Sequence, residues 1–301
     1  MNQPVIGFVG FGEAAQSFAG HFAGQGIQGQ PVFCQGRTNQ PPYSEAFRAM
    51  AAARGARLVD SLQALMAEAD IVFSAVVVAT AAEVGQAIAA ALRPGTLVVD
   101  INASTPRAKR LVAAAVTARG GDYVDANLMG AIPIYGPGVP LYSSGKGMAR
   151  FVEVFAPLGL NIEDAGPEPG TAAAVKMLRS VVTKGIEALV VEAMTAASLA
   201  GVRPEALRGI CGPMDATSFS KFVDMCLRSD VLHAERRAVE MQGVAEGIRE
   251  LGLDPVMTMA TAARLQASAA LGLRDDFAAR QGYDADAVLD AYAARAADRT
   301  S

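Results

Sequence analysis

The sequence predicts an α/β protein in which a doubly wound parallel sheet is followed by a second, all-helical domain. Short apolar β-type runs alternate with helical patterns up to about residue 164. The run at 71–78 is continuously apolar, as expected of a parallel strand covered on both faces. Beyond a Pro/Gly turn at 166–170, the chain is Ala-rich with helical periodicity. We therefore place the domains at 1–166 and 167–301.

The elements of the first domain follow in regular alternation. Strands are predicted at 5–9, 32–35, 57–59, 71–78, 96–100, 123–126 and 161–164, with one or two more in the loop-rich stretch 130–147. Helices are predicted at 16–25, 45–54, 81–92 and 149–158, with two more that begin after Ser61 and at Pro106. Proline suits a first helical turn because its missing N–H would have no partner there.

The second domain begins with one long helix, predicted over residues 171–200. Shorter helices follow, and breaks are expected near Gly201, Gly212-Pro213, Gly252, Gly272 and Gly282.

The composition indicates a folded protein of one large or two ordinary domains. Of the 301 residues, 51% are hydrophobic and 19% are charged, which excludes a disordered chain. A net charge of −4 without a long basic run argues against nucleic acid as the main partner. The three cysteines and two histidines show no metal-type spacing, so no metal site is expected.

Neither a secretory nor a membrane segment is expected. The first strand begins by Val5 without a basic leader, and Glu13 interrupts the apolar run. The long apolar segment 172–202 contains lysine, arginine and glutamate, too many charges for a membrane span. We expect a soluble, cytoplasmic protein.

The first β-type run passes through Gly10-x-Gly12-x-x-Ala15 into a helical pattern. This is a dinucleotide-binding fingerprint in the strand–turn–helix context that it requires, although a plain βα turn is the alternative. Gly10 permits the tight turn, Gly12 lets backbone N–H groups approach a pyrophosphate, and Ala15 lets the helix pack on the sheet. The residues expected to bind a dinucleotide on this Rossmann sheet are Gly10, Phe11, Gly12, Glu13 and Ala14.

The end of the second strand bears on which dinucleotide binds. An acidic residue there accepts the ribose 2′-hydroxyl of NAD, whereas an arginine suits the 2′-phosphate of NADP. Here the strand runs into Arg37-Thr38, with no Asp or Glu before Glu45. Arg37, backed by the Thr38 hydroxyl, favours NADP over NAD, unless it is merely a solvated loop residue.

Ligands of a doubly wound sheet lie at the carboxyl ends of its strands. The residues that follow the fourth, fifth and sixth strands, and that we expect to line the site, are Val76, Val77, Asn102, Ser104, Met129 and Gly130. Val76 and Val77 would form an apolar wall for the cofactor. Alternatively, Asn102 or Ser104 simply caps the helix that begins at Pro106.

Lys176 stands near the start of the long helix, behind the apolar residues 172–175. Ser180, Lys184 and Glu187 follow at helical spacing, so they form one polar stripe. A partly desolvated lysine near a second cation has a lowered pKa and can exchange protons near neutrality. A snorkelling lysine, or an ion pair of Lys184 with Glu187, is the alternative.

These residues resemble the β-hydroxyacid dehydrogenase family, which includes 3-hydroxyisobutyrate dehydrogenases and 6-phosphogluconate dehydrogenase. The resemblance spans nearly the whole chain. Its motifs are the fingerprint, Gly36-Arg37-Thr38, Asp100…Pro106, Asp125-Ala126-x-x-x-Gly130 and Gly170-x5-Lys176. The second half, from Lys176-Met177-Leu178-Arg179-Ser180 to Leu251-Gly252-Leu253-Asp254-Pro255, resembles a little-characterised branch with its own C-terminal domain.

The resemblance implies that Lys176 is the general acid/base, with Ser180 and Asn102 as further catalytic residues. Lys176 would exchange the hydroxyl proton while hydride passes between the adjacent carbon and nicotinamide. Imine reductases of the superfamily usually lack this lysine, so its presence favours an alcohol or carbonyl substrate.

Four departures from the family pattern make the expected pocket less polar. Ala103 replaces a Ser or Thr, Met129 replaces a Ser, and Ser180 replaces an Asn. A Lys-Asp pair expected late in the C-terminal domain is missing near residues 239–240. The arginines that could bind a substrate carboxylate, or could simply face solvent, are Arg179, Arg236 and Arg237.

We therefore expect an NADP(H)-dependent oxidoreductase that acts on a hydroxy acid or a related alcohol or carbonyl compound. The alternatives are an imine reductase, a 6-phosphogluconate-type oxidative decarboxylase and a non-catalytic NADP(H)-binding regulatory protein. In the family the long helix forms a dimer interface, and the apolar residues 183–200 are compatible with a homodimer.

Overall fold

The computed structural model describes residues 3–36 and 39–298. They divide into two compact units, of which the first ends at Val181 and the second begins at Val182. Within the described residues, the first unit contains one eight-stranded sheet and the second is helical. The predicted α/β architecture is confirmed.

The strands of the sheet are arranged in the order β3-β2-β1-β4-β5-β6-β7-β8. Their bounds are β1 Ile6–Val9, β2 Gln30–Phe33, β3 Ala56–Leu58, β4 Ile71–Ser74, β5 Leu97–Asp100, β6 Asp122–Leu128, β7 Leu141–Ser144 and β8 Ile162–Asp164. Neighbouring strands are parallel except for β6 and β7, which are antiparallel. The order reverses between β1 and β4, the switch point at which doubly wound sheets bind ligands.

Helices cover both faces of this sheet. Their bounds are α1 Glu13–Gly24, α2 Glu45–Ala52, α3 Leu62–Glu68, α4 Ala81–Ala91, α5 Pro106–Ala118, α6 Ile132–Tyr135 and α7 Met148–Phe155. One core is built around stacked and tilted rings, among them Phe8, Phe22, Phe73 and Phe155. A second core, on the other face, contains Val72, Val98, Val112 and Tyr123.

Helix α8, Thr171–Leu199, continues from the first unit into the second and matches the predicted long helix closely. Its first turns belong with the first unit because Ala172 and Ala173 are buried there. The division between the units therefore falls inside α8, whereas the boundary predicted at 166/167 lies just before it.

As far as residue 298, where the described part of the chain ends, the second unit consists of the rest of α8 and five further helices. These are α9 Arg203–Asp215, α10 Phe219–Glu250, α11 Val256–Ala269, α12 Arg274–Ala278 and α13 Ala285–Asp298. Val231, Leu273, Phe277 and Val288 form its small core. The breaks predicted near Gly201, Gly252, Gly272 and Gly282 are confirmed, but α9 runs through Gly212 to Asp215.

Glu192 of α8, although far from α11 in the sequence, caps the N-terminus of α11. Its carboxylate accepts hydrogen bonds from the Met257 N–H (2.7 Å), the Thr258 N–H (2.8 Å) and the Thr258 hydroxyl (2.6 Å). Pro255, at the N-cap position of α11, offers no side-chain acceptor, so Glu192 supplies the missing one.

None of the helices in the described part of the chain is long and apolar enough to cross a bilayer.

Candidate active site

The turn between β1 and α1 requires glycine at position 10. Gly10 has φ +87°, and a Cβ there would lie 2.2 Å from the carbonyl oxygen of Ala75. Its N–H donates to the carbonyl of Phe33 at the end of β2 (2.9 Å). The turn is therefore pinned between the ends of β2 and β4, at the switch point of the sheet.

The N-terminus of α1 is open to a ligand. Gly12 occupies the N-cap position without a side-chain cap, and a Cβ there would meet nothing within 4 Å. Ala15 is fully buried, as the close packing of α1 on the sheet requires. Uncapped N–H groups facing open space fit a pyrophosphate, which the helix dipole would also attract.

The other residues of the fingerprint take different positions. The Phe11 ring is buried and packs edge-on against Phe8 and Phe47, so only its backbone is left for a cofactor. Glu13 is exposed and Ala14 is half-buried at the start of α1. Arg37 and Thr38 lie outside the described residues.

Cys34, which follows β2, is a buried thiol that the sequence analysis did not place in the site. Burial raises its pKa to about 11, more than hydrogen bonds with the backbone of Gly10 and Phe11 lower it. The thiol is therefore protonated at neutral pH and acts as a neutral packing group beneath the glycine turn.

Asn102 joins the ends of β4 and β5. Its Oδ1 accepts the Val76 N–H at 2.6 Å, and its Nδ2 donates to Ser74 Oγ (2.9 Å) and Asp100 Oδ1 (2.7 Å). The side chain is buried and all three hydrogen bonds are internal. In this structure Asn102 therefore fixes the strand ends, while Val77, three residues after β4, has 69% of its surface exposed.

Neither Asn102 nor Ser104 caps α5. That position belongs to Thr105, whose Oγ1 accepts the Ala108 N–H at 3.2 Å. The alternative prediction, that Asn102 or Ser104 caps the helix beginning at Pro106, is therefore wrong. Ser104 is half-buried, two residues beyond Asn102.

A fully buried ion cluster underlies the strand ends. Lys109 Nζ lies 2.9 Å from Asp100 Oδ1 and 3.1 Å from Asp125 Oδ1. Tyr123 OH donates to Asp100 Oδ2 at 2.7 Å, and burial, followed by the Asp100 and Asp125 charges, raises the pKa of Tyr123 well above its ordinary value. The Lys109 ammonium and the Tyr123 hydroxyl thus supply donors to the two buried carboxylates. A single buried charge without such partners would be unfavourable.

Lys109 was not among the residues predicted to belong to the site. It shares the buried face of α5 with Val112, Ala113 and Val116, at helical spacings of three, four and seven. A lysine on an apolar stripe of this kind is the signal that would have identified it.

The same cluster fixes the start of α8. Asp125 Oδ2 accepts the Ala173 N–H at 2.9 Å, and Ser144 Oγ accepts the Ala172 N–H at 3.1 Å. These oxygens satisfy two of the first helical donors, and a carboxylate is favourable at a helix N-terminus. The segment that bears Lys176, one turn later, is thereby held beside β6 and β7.

Five predicted site residues lie on α8 or just after the end of β6, and hydrogen bonds join several of them. Arg179 Nη1 donates to the carbonyl of Met129 at 2.9 Å, three residues after the half-buried Lys176. Ser180 Oγ donates a hydrogen bond to the backbone carbonyl of Lys176, one turn earlier in α8, at 3.0 Å. A Cβ on Gly130 would lie 2.6 Å from the Tyr135 ring, which packs directly over it.

Arg237 belongs to the second unit. It lies on α10, where its Nη1 donates to Ser229 Oγ at 3.1 Å. Arg236 on the same helix forms an exposed ion pair with Glu240. Across the described residues, no group of three or more His, Cys, Asp or Glu side chains is placed to hold a metal ion.

Comparison with known proteins identifies both halves of the chain. The family model of the NAD binding domain of 6-phosphogluconate dehydrogenase matches residues 5–134. A domain of unknown function, DUF1932, matches residues 197–268.

Individual proteins are similar to this chain over most of their length. A conserved hypothetical protein from Sinorhizobium meliloti 1021 is 32% identical in sequence, and its structure has a TM-score of 0.62 over 98% of this chain and 97% of its own. The 2-(hydroxymethyl)glutarate dehydrogenase of Eubacterium barkeri is 25% identical over 71% of this chain and 70% of its own. An imine reductase from Aspergillus terreus, 19% identical with a TM-score of 0.71, covers 96% of this chain and 99% of its own, and shares the fold.

An NAD-binding Rossmann domain is thus followed by a DUF1932 domain, and the chain belongs to the β-hydroxyacid dehydrogenase family, in its little-characterised branch with this C-terminal domain.

Proposed function

We propose that this protein is an NADP(H)-dependent oxidoreductase that interconverts a hydroxy acid, or a related alcohol, with its carbonyl compound. The observation that supports this most strongly is the anchoring of α8 by Asp125 and Ser144, which holds the Lys176 segment at the carboxyl ends of the strands. Catalytic groups of doubly wound enzymes lie at that edge.

The cofactor would be held by the turn at Gly10–Gly12, by the uncapped start of α1 and by the wall at Val76 and Val77. Its nicotinamide ring supplies the hydride acceptor or donor. Arg37 and Thr38, by their position in the sequence after β2, favour the 2′-phosphate of NADP.

Lys176 is proposed as the general acid/base. As a neutral amine it takes the proton of the substrate hydroxyl during oxidation, and as an ammonium it returns a proton to the carbonyl oxygen during reduction. Ser180 would help to position Lys176 indirectly, because its hydroxyl donates a hydrogen bond to the backbone carbonyl of Lys176.

Arg179 is proposed to bind the carboxylate of an acidic substrate. Among the described residues, Arg179 donates to Met129 through Nη1, so the guanidinium keeps further donors for a charge-assisted pair. Lys176 and Arg179 stand on the same face of α8, one turn apart. A molecule with a hydroxyl and a carboxylate fits this pair of cations, with Ser104, Met129 and Gly130 as further contacts.

We also propose that the protein acts as a homodimer. Large apolar side chains are exposed along the second part of α8, including Val182, Ile186, Leu189 and Val190. An apolar face of this length suits burial against a second copy. Light scattering after size exclusion measures the mass directly, and a monomer at micromolar concentration would contradict this part of the proposal.

The experiment that tests the proposed reaction is nicotinamide absorbance with NADP(H) and NAD(H) over hydroxy acids, aldehydes, ketones and cyclic imines. Wild type is compared with Lys176→Met, and cofactor binding is followed by NADPH fluorescence. We expect turnover of a hydroxy or carbonyl compound that falls by about 100-fold or more in the variant, with NADPH binding preserved.

Other outcomes point to the alternatives. Turnover of imines alone, or turnover that is indifferent to Lys176, would contradict the mechanism. CO₂ release coupled to oxidation would indicate a decarboxylase. Tight NADPH binding without turnover over the whole panel would indicate a regulatory protein.

A further inference from the structure

Asn127 carries a buried oxygen whose hydrogen-bonding capacity is unused. The side chain lies on β6 and is 1% exposed. Its Oδ1 has no hydrogen-bond partner within the described residues, 3–36 and 39–298. A buried carbonyl without a donor is unfavourable, so such a group calls for an explanation.

The orientation of the Asn127 amide is determined by its neighbour. Nδ2 donates to Asp125 Oδ1 at 2.7 Å, a charge-assisted hydrogen bond. Turning the amide over would bring its oxygen against the Asp125 carboxylate, which is repulsive. The Oδ1 therefore points away from Asp125.

The position of Asn127 along β6 brings it level with Lys176. Helix α8 is attached by hydrogen bonds at two points, Ala173 to Asp125 of β6 and Arg179 to Met129, the residue that follows β6. Asn127 is midway in sequence between Asp125 and Met129, and Lys176 is midway between Ala173 and Arg179. Helical lysines also lean back toward the preceding turn, here Ala172 and Ala173, and hence toward β6.

We propose that Asn127 is a positioning residue for Lys176, whose ammonium donates a hydrogen bond to Asn127 Oδ1 in the working enzyme. The ammonium has three donors, so one directed to Asn127 leaves two for substrate and surroundings. An acceptor for the charged form holds the amine in place and favours its protonation.

The charged groups around this pair come from three elements of the first unit besides β6 itself. Asp125 lies two residues away on β6, paired with Lys109 of α5 and, through it, with Asp100 of β5. Arg179 lies one turn farther along α8. Asn127→Ser removes the amide carbonyl, leaves these charges unchanged and keeps a hydroxyl that can donate to Asp125.

This inference rests on the proposed role of Lys176. Its test, however, measures the pH dependence of the reactivity of the Lys176 amine and needs no substrate. Trace acetic anhydride is applied to the full-length protein between pH 6 and pH 11, and acetylation of Lys176 is quantified by mass spectrometry. The exposed Lys184, farther along α8, provides the internal reference. In Asn127→Ser and Asn127→Ala we expect the midpoint of Lys176 labelling to fall by about one pH unit, because the charged form loses an acceptor.

The matched control is Gln30→Met. Gln30 is equally buried and, within the described residues, also has an unpartnered carbonyl oxygen, but it lies at the start of β2, and three strands separate β2 from β6. This variant should leave the Lys176 midpoint in place. Coincident midpoints in wild type and the Asn127 variants, or an equal shift in Gln30→Met, would overturn the proposal. Failure of both Asn127 variants to fold would also overturn it, because Asn127 would then be a structural residue.

Discussion

The Lys109 ammonium lies 3.1 Å from Asp125 Oδ1, and neither side chain has any surface exposed to solvent. The other oxygen of the same carboxylate accepts the N–H of Ala173 in α8. A cation on α5 therefore holds the carboxylate that caps the helix bearing Lys176. This connection links the stability of the first unit to the geometry of the candidate site.

Replacing Lys109 tests the first part of that connection. Lys109→Met leaves Asp100 and Asp125 buried without their cation, and we expect the free energy of unfolding to fall by about 3–5 kcal/mol at pH 7. Urea denaturation measures this change. Lys146→Met, at an exposed lysine, should change stability by less than about 0.5 kcal/mol.

The two glycines of the fingerprint should respond differently to alanine. In Gly10→Ala the Cβ meets the Ala75 carbonyl at a positive φ, so we expect a loss of about 2 kcal/mol or more in stability. In Gly12→Ala the Cβ enters open space, so stability should hold while NADPH affinity falls, because the methyl group occupies the approach of the pyrophosphate. Thermal melts and NADPH fluorescence separate the two effects. Equal melting temperatures for the two variants would contradict this assignment.

Arg179 should govern affinity for acidic substrates. In Arg179→Gln the guanidinium is lost, and we expect KM for a carboxylate-bearing substrate to rise about tenfold or more with little change in NADPH binding. KM for a neutral alcohol should stay within about twofold of wild type. Arg107→Gln, at an exposed position on α5, is the control. A proportional rise in KM for acidic and neutral substrates would refute a role in binding the carboxylate.

The Glu192 cap makes the second unit sensitive to acid. Burial raises the pKa of Glu192, but its hydrogen bonds with Thr258 and Met257 lower it more, so the net pKa lies below the ordinary 4.5. Because the folded carboxyl binds protons less readily than the unfolded one, its contribution to stability is present above about pH 4.5 and is lost as the pH falls through the folded pKa.

Glu192→Gln should therefore destabilise the second unit by roughly 1 kcal/mol at pH 7 and by less at pH 3.5. Hydrogen exchange in α11, compared at both pH values, measures the local effect. Glu187→Gln, one turn earlier on α8 and without these hydrogen bonds, provides the comparison. The same difference between Glu192→Gln and wild type at both pH values would contradict the linkage.

Local patterns in the sequence were enough to predict much of this structure. The Gly10-x-Gly12 turn and the extent of α8 follow from spacing and periodicity, because both are properties of neighbouring residues. The pairing of Lys109 with Asp125, and of Asn102 with the Val76 N–H, depends on which strands become neighbours. Side chains far apart in sequence meet only once the sheet order exists, so spacing alone did not reveal these contacts.

The end of β2 also depends on a contact that spacing along the sequence does not reveal. The strand was predicted at 32–35 but ends at Phe33, since the Cys34 N–H and carbonyl are both hydrogen-bonded to the Tyr43 hydroxyl. Thr105 as the cap of α5, in place of Asn102 or Ser104, is a similar case. Several adjacent polar residues could each serve as a cap, and the three-dimensional network around Asp100 decided which of them did.

The Val76 N–H donates its hydrogen bond to Asn102 Oδ1, and this limits the contacts that the end of β4 could offer to a ligand. Because that donor is occupied, a molecule bound there as proposed would meet mainly the methyl groups of Val76 and Val77. Contacts of this kind would distinguish ligands by shape and ring face, and less by their hydrogen-bonding groups. Selectivity for polar groups would then come from the proposed contacts where α8 and the end of β6 meet.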